Sequence, residues 1–274
     1  MLFKPSFLLF SLFSLGTVAW DAPNYSGFTK VWQDTFAGSG GTLPDTSRWN
    51  IITGYLNVNA ELEVYTSSTR NVQRSGGDTL QLVPWRDASA QNGWTSGRKV
   101  TRTEANLRFG TCSTNNKQGI WPAYWMLGNI LRNGGSWPSC GEIDAMETVN
   151  GQLTGHGTVH CHVYPGGICN EGTGIGNTIG IPDQSWHTWR VEFNRAKSSW
   201  RDETITWFMD GQQFHQISGA RINDQNVWNS LCHSPLYFIL NVAVGGTWPG
   251  YPNGNTCDGY GSMMEVGYVA HYTN

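Results

Sequence analysis

Charge is what this sequence has least of. Asp, Glu, Lys and Arg together make up 14% of its 274 residues, against about 25% in an average soluble protein. The formal net charge is −3. A chain so weakly charged has no basic surface of the kind that holds nucleic acid or seeks anionic lipid, so neither is expected as a partner. Long helical patterns are missing as well; the best stretch, residues 224–231, is short. No linker, repeat or low-complexity segment divides the chain, and residues 20–274 therefore read as one domain. No apolar run reaches the roughly 20 residues of a membrane-spanning helix. The one notable run, residues 7–15, follows Lys4 and precedes Thr17-Val18-Ala19. That is the form of a secretory signal peptide, residues 1–19, cleaved after Ala19. The end of the chain, Tyr272-Thr273-Asn274, has no hydrophobic tail that would imply a lipid anchor. The protein is expected to be secreted and extracellular, and to be a monomer.

What is abundant is aromatic and small. Aromatics reach 13%, with 14 Trp, and there are 34 Gly. This combination suits a β protein with tight turns, and one that stacks flat apolar rings. Residues 61–66 and 79–83 alternate polar with apolar between turn residues, and residues 100–109 continue the pattern, with Thr101, Thr103, Ala105 and Leu107 on one parity. Further strands are expected at 28–32, 119–127, 154–162, 186–193, 204–209, 236–244 and 264–272, with Asp210-Gly211 as a hairpin turn. Residues 236–244 are so apolar that both faces are expected to be covered. The glycines of 166–180 read as loop, with no helix pattern after them that would suit a nucleotide-binding turn. Short strands at regular intervals make an all-β sandwich or barrel.

All six cysteines, Cys112, Cys140, Cys161, Cys169, Cys232 and Cys257, follow the signal segment, and an even number in a secreted chain favours disulfides. Cys161 and Cys169 flank a Pro-Gly-Gly loop and are the easiest pair to close. Elimination then leaves Cys232 with Cys257 and Cys112 with Cys140. Asn24-Tyr25-Ser26 is a glycosylation sequon.

Against this charge-poor background, Glu142-Ile143-Asp144-Ala145-Met146-Glu147 places three carboxylates within six positions, interleaved with apolar residues. In a strand, Glu142 and Asp144 share a face and Glu147 points away. One extra residue near Ala145-Met146, a β-bulge, returns Glu147 to the face of the other two. Three acids on one face repel each other, which marks the stretch as functional. Paired carboxylates are what glycosidic bond cleavage requires. The competing use is a structural calcium ion, but calcium takes about six to eight oxygens from a flexible loop, which a strand presents poorly. No cofactor is implied, with calcium kept as the alternative. His156, His160 and His162 share a parity that would suit a metal.

These residues resemble the bulged Glu-x-Asp-x-x-Glu motif of glycoside hydrolase family 16, laminarinase-type branch. The resemblance extends to the aromatic strand at 119–127, Trp137-Pro138, His156-Gly157-Thr158-Val159-His160 and the late loop Ala243-Val244-Gly245-Gly246-Thr247-Trp248-Pro249-Gly250. It implies a β-jelly-roll sandwich of concanavalin A type, with a substrate cleft across its concave sheet and retaining hydrolysis. Glu142 is then the nucleophile, Glu147 the acid/base, and Asp144 assists by hydrogen-bonding Glu142. Such a pair needs carboxyls about 5–5.5 Å apart. Trp125, Trp137 and Trp248 become platforms for the flat faces of sugars, with Trp121 behind them. The alternative is that Trp121 and Trp125 pack in the core. His160 is expected to face the cleft beside Glu147, with His156 structural and no metal bound.

One departure stands out. Where the family has Phe-Glu-Ala-Arg, this chain has Thr103-Glu104-Ala105-Asn106, and Arg108 shares the parity of Asn106. Arg108 is therefore the candidate for the missing sugar contact. The expected substrate is a polysaccharide: β-1,3-linked glucan, with mixed-linkage β-1,3-1,4-glucan as an extension. An endo-β-1,3-galactanase is the alternative that the altered strand suggests. A non-catalytic lectin-like binder is the alternative of another class, and transglycosylation is a third outcome.

Overall fold

Along the strand Ile120–Gly128 the side chains divide cleanly by parity. Ile120, Tyr124 and Met126 enter the core, while Trp121, Ala123, Trp125 and Leu127 line an open cleft. The period of two along a strand makes this division, so the central strands of the same sheet contribute one row to the core and one to the cleft. In Leu236–Val244, Phe238, Leu240, Val242 and Val244 face the core, and Asn241 and Ala243 face the cleft. The second covering expected for this strand is thus the cleft floor.

The computed structural model describes residues 20–100 and 104–273; the expected signal peptide, with Thr101 and Thr103, lies outside the described residues. Two antiparallel sheets face one another. The cleft sheet runs in the order Ile175–Gly180, Thr154–His160, Glu142–Glu147, Ile120–Gly128, Leu236–Val244, Arg98–Val100, Asn50–Ile51. The outer sheet runs Gln212–Ser218, Thr204–Met209, His187–Asn194, Glu104–Phe109, Met264–Thr273, Leu80–Leu82, Val72–Arg74, and Thr29–Asp34 also pairs with Met264–Thr273. A small sheet of Val64–Tyr65, Trp94–Ser96 and Trp85–Arg86 stands apart. The architecture is the expected β-jelly-roll sandwich. The Asp210-Gly211 turn joins its strands with positive φ at both residues, 48° and 81°, as a two-residue hairpin requires. The short helix is Gln225–Cys232, begun by Asp224, whose side chain accepts the N–H groups of Asn226 and Val227.

The sheets approach closely at the histidine strand. A Cβ on Gly155 would lie 2.3 Å from the ring of Trp189, and one on Gly157 would lie 2.7 Å from Trp207. Both tryptophans are fully buried, and large rings on one sheet demand bare backbone on the other. The residues 175–180, read from sequence as loop, form the edge strand Ile175–Gly180; its glycines masked the pairing with Thr154–His160.

Two of the expected disulfides are corrected. Cys161–Cys169 forms as expected, but Cys112 bonds Cys257, and Cys140 and Cys232 are free and buried. Cys112 and Cys257 meet because Glu104–Phe109 pairs with Met264–Thr273, carrying the adjoining loops together across 145 positions of sequence. Elimination along the chain has no access to that pairing. Burial pushes both free thiols up to about 11, so they stay protonated and inert.

Candidate active site

The acidic strand carries the expected bulge. Tyr124 pairs with Met146 and Trp125 with Asp144, so Ala145 is the extra residue, and on the other edge the register jumps between Asp144 and Glu147. Ile143, Ala145 and Met146 consequently all enter the core, while Glu142, Asp144 and Glu147 all line the cleft. The kink is pinned from behind: Trp207 Nε1 of the outer sheet donates to the backbone oxygen of Asp144 at 2.7 Å.

The cleft encloses about 900 Å³. Trp121 Nε1 donates to Glu147 Oε1 at 3.0 Å, and Trp137 Nε1 donates to Glu142 Oε2 at 3.1 Å. Each glutamate thus has its own tryptophan. Trp137 and Trp248 are 41% and 42% exposed, as platforms for a flat ligand should be. Trp248 meets Trp121 edge to face at 5.3 Å, and Trp125 donates to Asn241 Oδ1 at 2.7 Å. Trp121 and Trp125 therefore belong to the cleft and not to the core, because the cleft has its own row of alternate residues.

Burial in the cleft floor, with the repulsion of Asp144 next, pushes Glu142 up to about 8; the Trp137 N–H and the charge of His160 partly offset this. Burial and the repulsion of both Asp144 and Glu142 hold Glu147 well above the usual carboxylate range. Burial opposes a charge on His160, yet its contacts with Asp144 and Glu171 outweigh that and hold the imidazolium up to about 11.

The histidines are reassigned. Register sets His160 opposite Glu142 and His156 opposite Glu147, so His160 lies one step further along than expected. His160 Nε2 is 3.4 Å from Asp144 Oδ2. This ion pair stands in place of the expected hydrogen bond from Asp144 to Glu142. His156 is not merely structural: it lines the cleft and meets the Trp248 ring edge-on at 4.9 Å. His162 lies past the strand end, where its Nδ1 accepts the N–H of Ile168, so the three histidines do not converge.

Arg108 is a correction too. It lies in the outer sheet, paired with Glu265 at 2.7 Å and stacked on Trp186. Asn106, on the same strand, donates to Thr188 Oγ1. The inward row of that strand is Ala105 and Leu107, so Asn106 and Arg108 face away from the sheet that carries the cleft.

Sequence reasoning passed over four contributors, Arg98, Glu61, Glu63 and Glu171. Arg98 lines the cleft and lies over the rings of Trp125 and Tyr65. Glu61, also in the cleft wall, accepts from Tyr65 and Asn59, and buried Glu63 accepts the N–H of Val244 at 2.7 Å. Burial, then the neighbouring Glu61, holds Glu63 well above the usual carboxylate range. The parity shared by Glu61, Glu63 and Tyr65 was the available signal. Arg98 and Glu171 had none, since each acts through a partner distant in sequence.

Two side-chain groups among the described residues are close enough to share a cation: Glu142 with Asp144 and His160, and Glu203 with Cys232 and His233. In the first, both His160 nitrogens already face carboxylates. In the second, Glu203 accepts from Trp228 and His233, and Arg195 adds its charge beside Cys232. Among the described residues, no helix is long and apolar enough to cross a membrane.

The family model described as "Glycosyl hydrolases family 16" matches residues 60–267. The chain is similar to a "Beta-glucanase" of Rhodothermus marinus, 32% identical across 99% of this chain and 95% of that protein. It is also 32% identical to "Glucan endo-1,3-beta-glucosidase A1" of Niallia circulans, over 91% of this chain but 38% of that longer protein. Among solved structures, an endo-1,3-beta-glucanase from Streptomyces sioyaensis superimposes with a TM-score of 0.83 at 36% identity, covering 91% of this chain and 98% of that one.

Proposed function

The chain belongs to glycosyl hydrolases family 16, and from that premise we propose that it is a secreted, endo-acting, retaining hydrolase of β-1,3-linked glucan. The observation that carries the reading is the bulged strand, which sets Glu142, Asp144 and Glu147 on one face of a tryptophan-lined cleft. Glu142 attacks the anomeric carbon and forms a glycosyl-enzyme. Glu147 gives its proton to the leaving oxygen, then takes one from the incoming water. The electrostatics support this division. Burial and the repulsion of Asp144 and Glu142 favour the protonated form of Glu147, which the acid step needs, while the Trp137 N–H and the charge of His160 favour the anion of Glu142, which attack needs. Asp144, ion-paired with His160, assists by holding that charge beside the pair. Trp137 and Trp248 hold the sugar rings on either side of the scissile bond.

The cleft is open, as an enzyme that cuts within a polymer needs. The relatives named for 1,3-β-glucan cleavage support glucan as the substrate. The galactanase alternative rested on Asn106, and that residue lies in the other sheet. Secretion rests on the signal-like residues 1–19. The test is reducing-sugar release from laminarin, lichenan and a β-1,3-galactan, with sizing of early products. Short oligosaccharides from laminarin are expected; activity on the galactan alone overturns the proposal. A lectin-like binder would bind laminarin and release nothing.

A further inference from the structure

Residues 161–173 supply no group to the reaction just described, yet they insert a carboxylate behind the catalytic face. The segment is tied by the Cys161–Cys169 disulfide and by the backbone bridge between Gly166 and Glu171. Glu171 is 5% exposed and is not among the residues lining the cleft. Its Oε1 accepts the backbone N–H of Cys161 at 2.7 Å, and its Oε2 lies 2.7 Å from His160 Nδ1. The other ring nitrogen of His160 faces Asp144 Oδ2 at 3.4 Å. Gly174 closes the remaining side: a Cβ there would lie 2.9 Å from Cε1 of the ring.

A neutral imidazole has one donor and one acceptor nitrogen. Here Nδ1 is at hydrogen-bond distance from Glu171, and Nε2 makes an ion-pair contact with Asp144 Oδ2, a buried oxygen with no hydrogen bond of its own, so a ring protonated on both nitrogens suits both carboxylates. The groups that face it are Asp144 and Glu142 from the acidic strand, Glu171 from the loop, and the Trp137 ring, 5.9 Å away. The charge so held acts on Glu142 and Glu147 alike, lowering the cost of their anions.

We propose that Glu171 is a positioning residue of the catalytic centre: acting through His160, it fixes an imidazolium against Asp144 and so maintains the charge balance among the cleft acids. The proposal rests on the hydrolase reading of the cleft, and Glu171 itself touches no substrate. The bland alternative is that Glu171 only anchors its loop through Cys161.

The experiment compares wild type, Glu171→Gln, His160→Gln and the double variant on laminarin, with the His160 ring followed by NMR through a pH titration. Gln keeps the acceptor for Cys161 and removes the charge. Glu171→Gln is expected to lower kcat about tenfold or more with KM little changed, and to make His160 lose its proton at lower pH. The double variant is expected to be no slower than His160→Gln, because the two residues act as one unit. Equal losses with and without His160, or an unchanged His160 titration, overturn the proposal. Should Glu171→Gln fail to fold, the wild-type ring decides: imidazolium at pH 8 is expected, and a neutral ring there overturns it. A wild-type protein that cleaves no β-glucan overturns the functional reading, while the His160 titration still tests the clamp.

Discussion

The indole nitrogen of Trp207, in the outer sheet, donates to the backbone oxygen of Asp144 at 2.7 Å, at the point where the acidic strand gains its extra residue. A bulge takes backbone groups out of the ladder, and a buried carbonyl left without a donor costs free energy. Trp207→Phe removes the donor and also leaves a small void where the larger buried indole was. Denaturant unfolding is expected to show a loss of at least about 1–3 kcal/mol for the unpaired carbonyl, with the void adding to it. Laminarin hydrolysis is expected to fall with it, since the bulge sets Glu142 against Glu147. A variant as stable as wild type would show that the bulge does not depend on this bond.

Glu142→Gln is expected to lower turnover by roughly four orders of magnitude or more, as loss of a nucleophile does, while laminari-oligosaccharide binding persists. Hydrolysis near the wild-type rate would remove Glu142 as nucleophile.

The same substitution is expected to stabilise the fold in a defined pH window. In the folded chain the Glu142 carboxyl is pushed up to about 8, and its ordinary value is 4.5. Below the lower value both states are protonated and nothing differs. Between the two, the folded state retains a proton that the unfolded chain has released, so stability is lost as pH rises through this window. Glu142→Gln escapes that loss. Its Tm is expected to exceed the wild-type value at pH 7 and to match it at pH 4. A calorimetric scan at both pH values checks this.

His160→Gln removes a positive charge that lowers the proton affinity of Glu142 and Glu147. Both carboxyls then hold their protons more tightly, so the acid limb of the kcat/KM profile is expected to move to higher pH. A limb that stays in place, or moves down, would show that His160 carries no charge in the free enzyme.

Trp137 has two duties that substitution can separate. Trp137→Phe keeps a ring for the sugar and loses the N–H given to Glu142, so kcat is expected to fall more than KM rises. Trp248→Ala removes a platform that touches neither glutamate in the hydrogen-bond network, and mainly KM is expected to rise. The rise should reach several-fold, as stacking worth about 0.5–1.5 kcal/mol implies. Initial-rate kinetics on laminarin separate the two patterns.

The chain's own order of residues determined an all-β architecture, the acidic strand and its bulge, because parity along a strand is a local property and the two residues between Asp144 and Glu147 break it visibly; the sandwich itself was implied by the resemblance. Trp121 and Trp125 share that parity, but parity alone names a face without saying what covers it; the structure places that face on an open cleft. Tertiary structure alone decided the rest. Strand register moved His160 opposite Glu142 and set His156 at Trp248. Sheet membership sent Asn106 and Arg108 to the far side of the molecule, and the pairing of distant strands joined Cys112 to Cys257. Glu171 lay in a segment read as plain loop and became the partner of His160. Local alternation is written between neighbours in sequence, whereas register, sheet membership and loop contacts are set by burial shared among residues far apart in the chain.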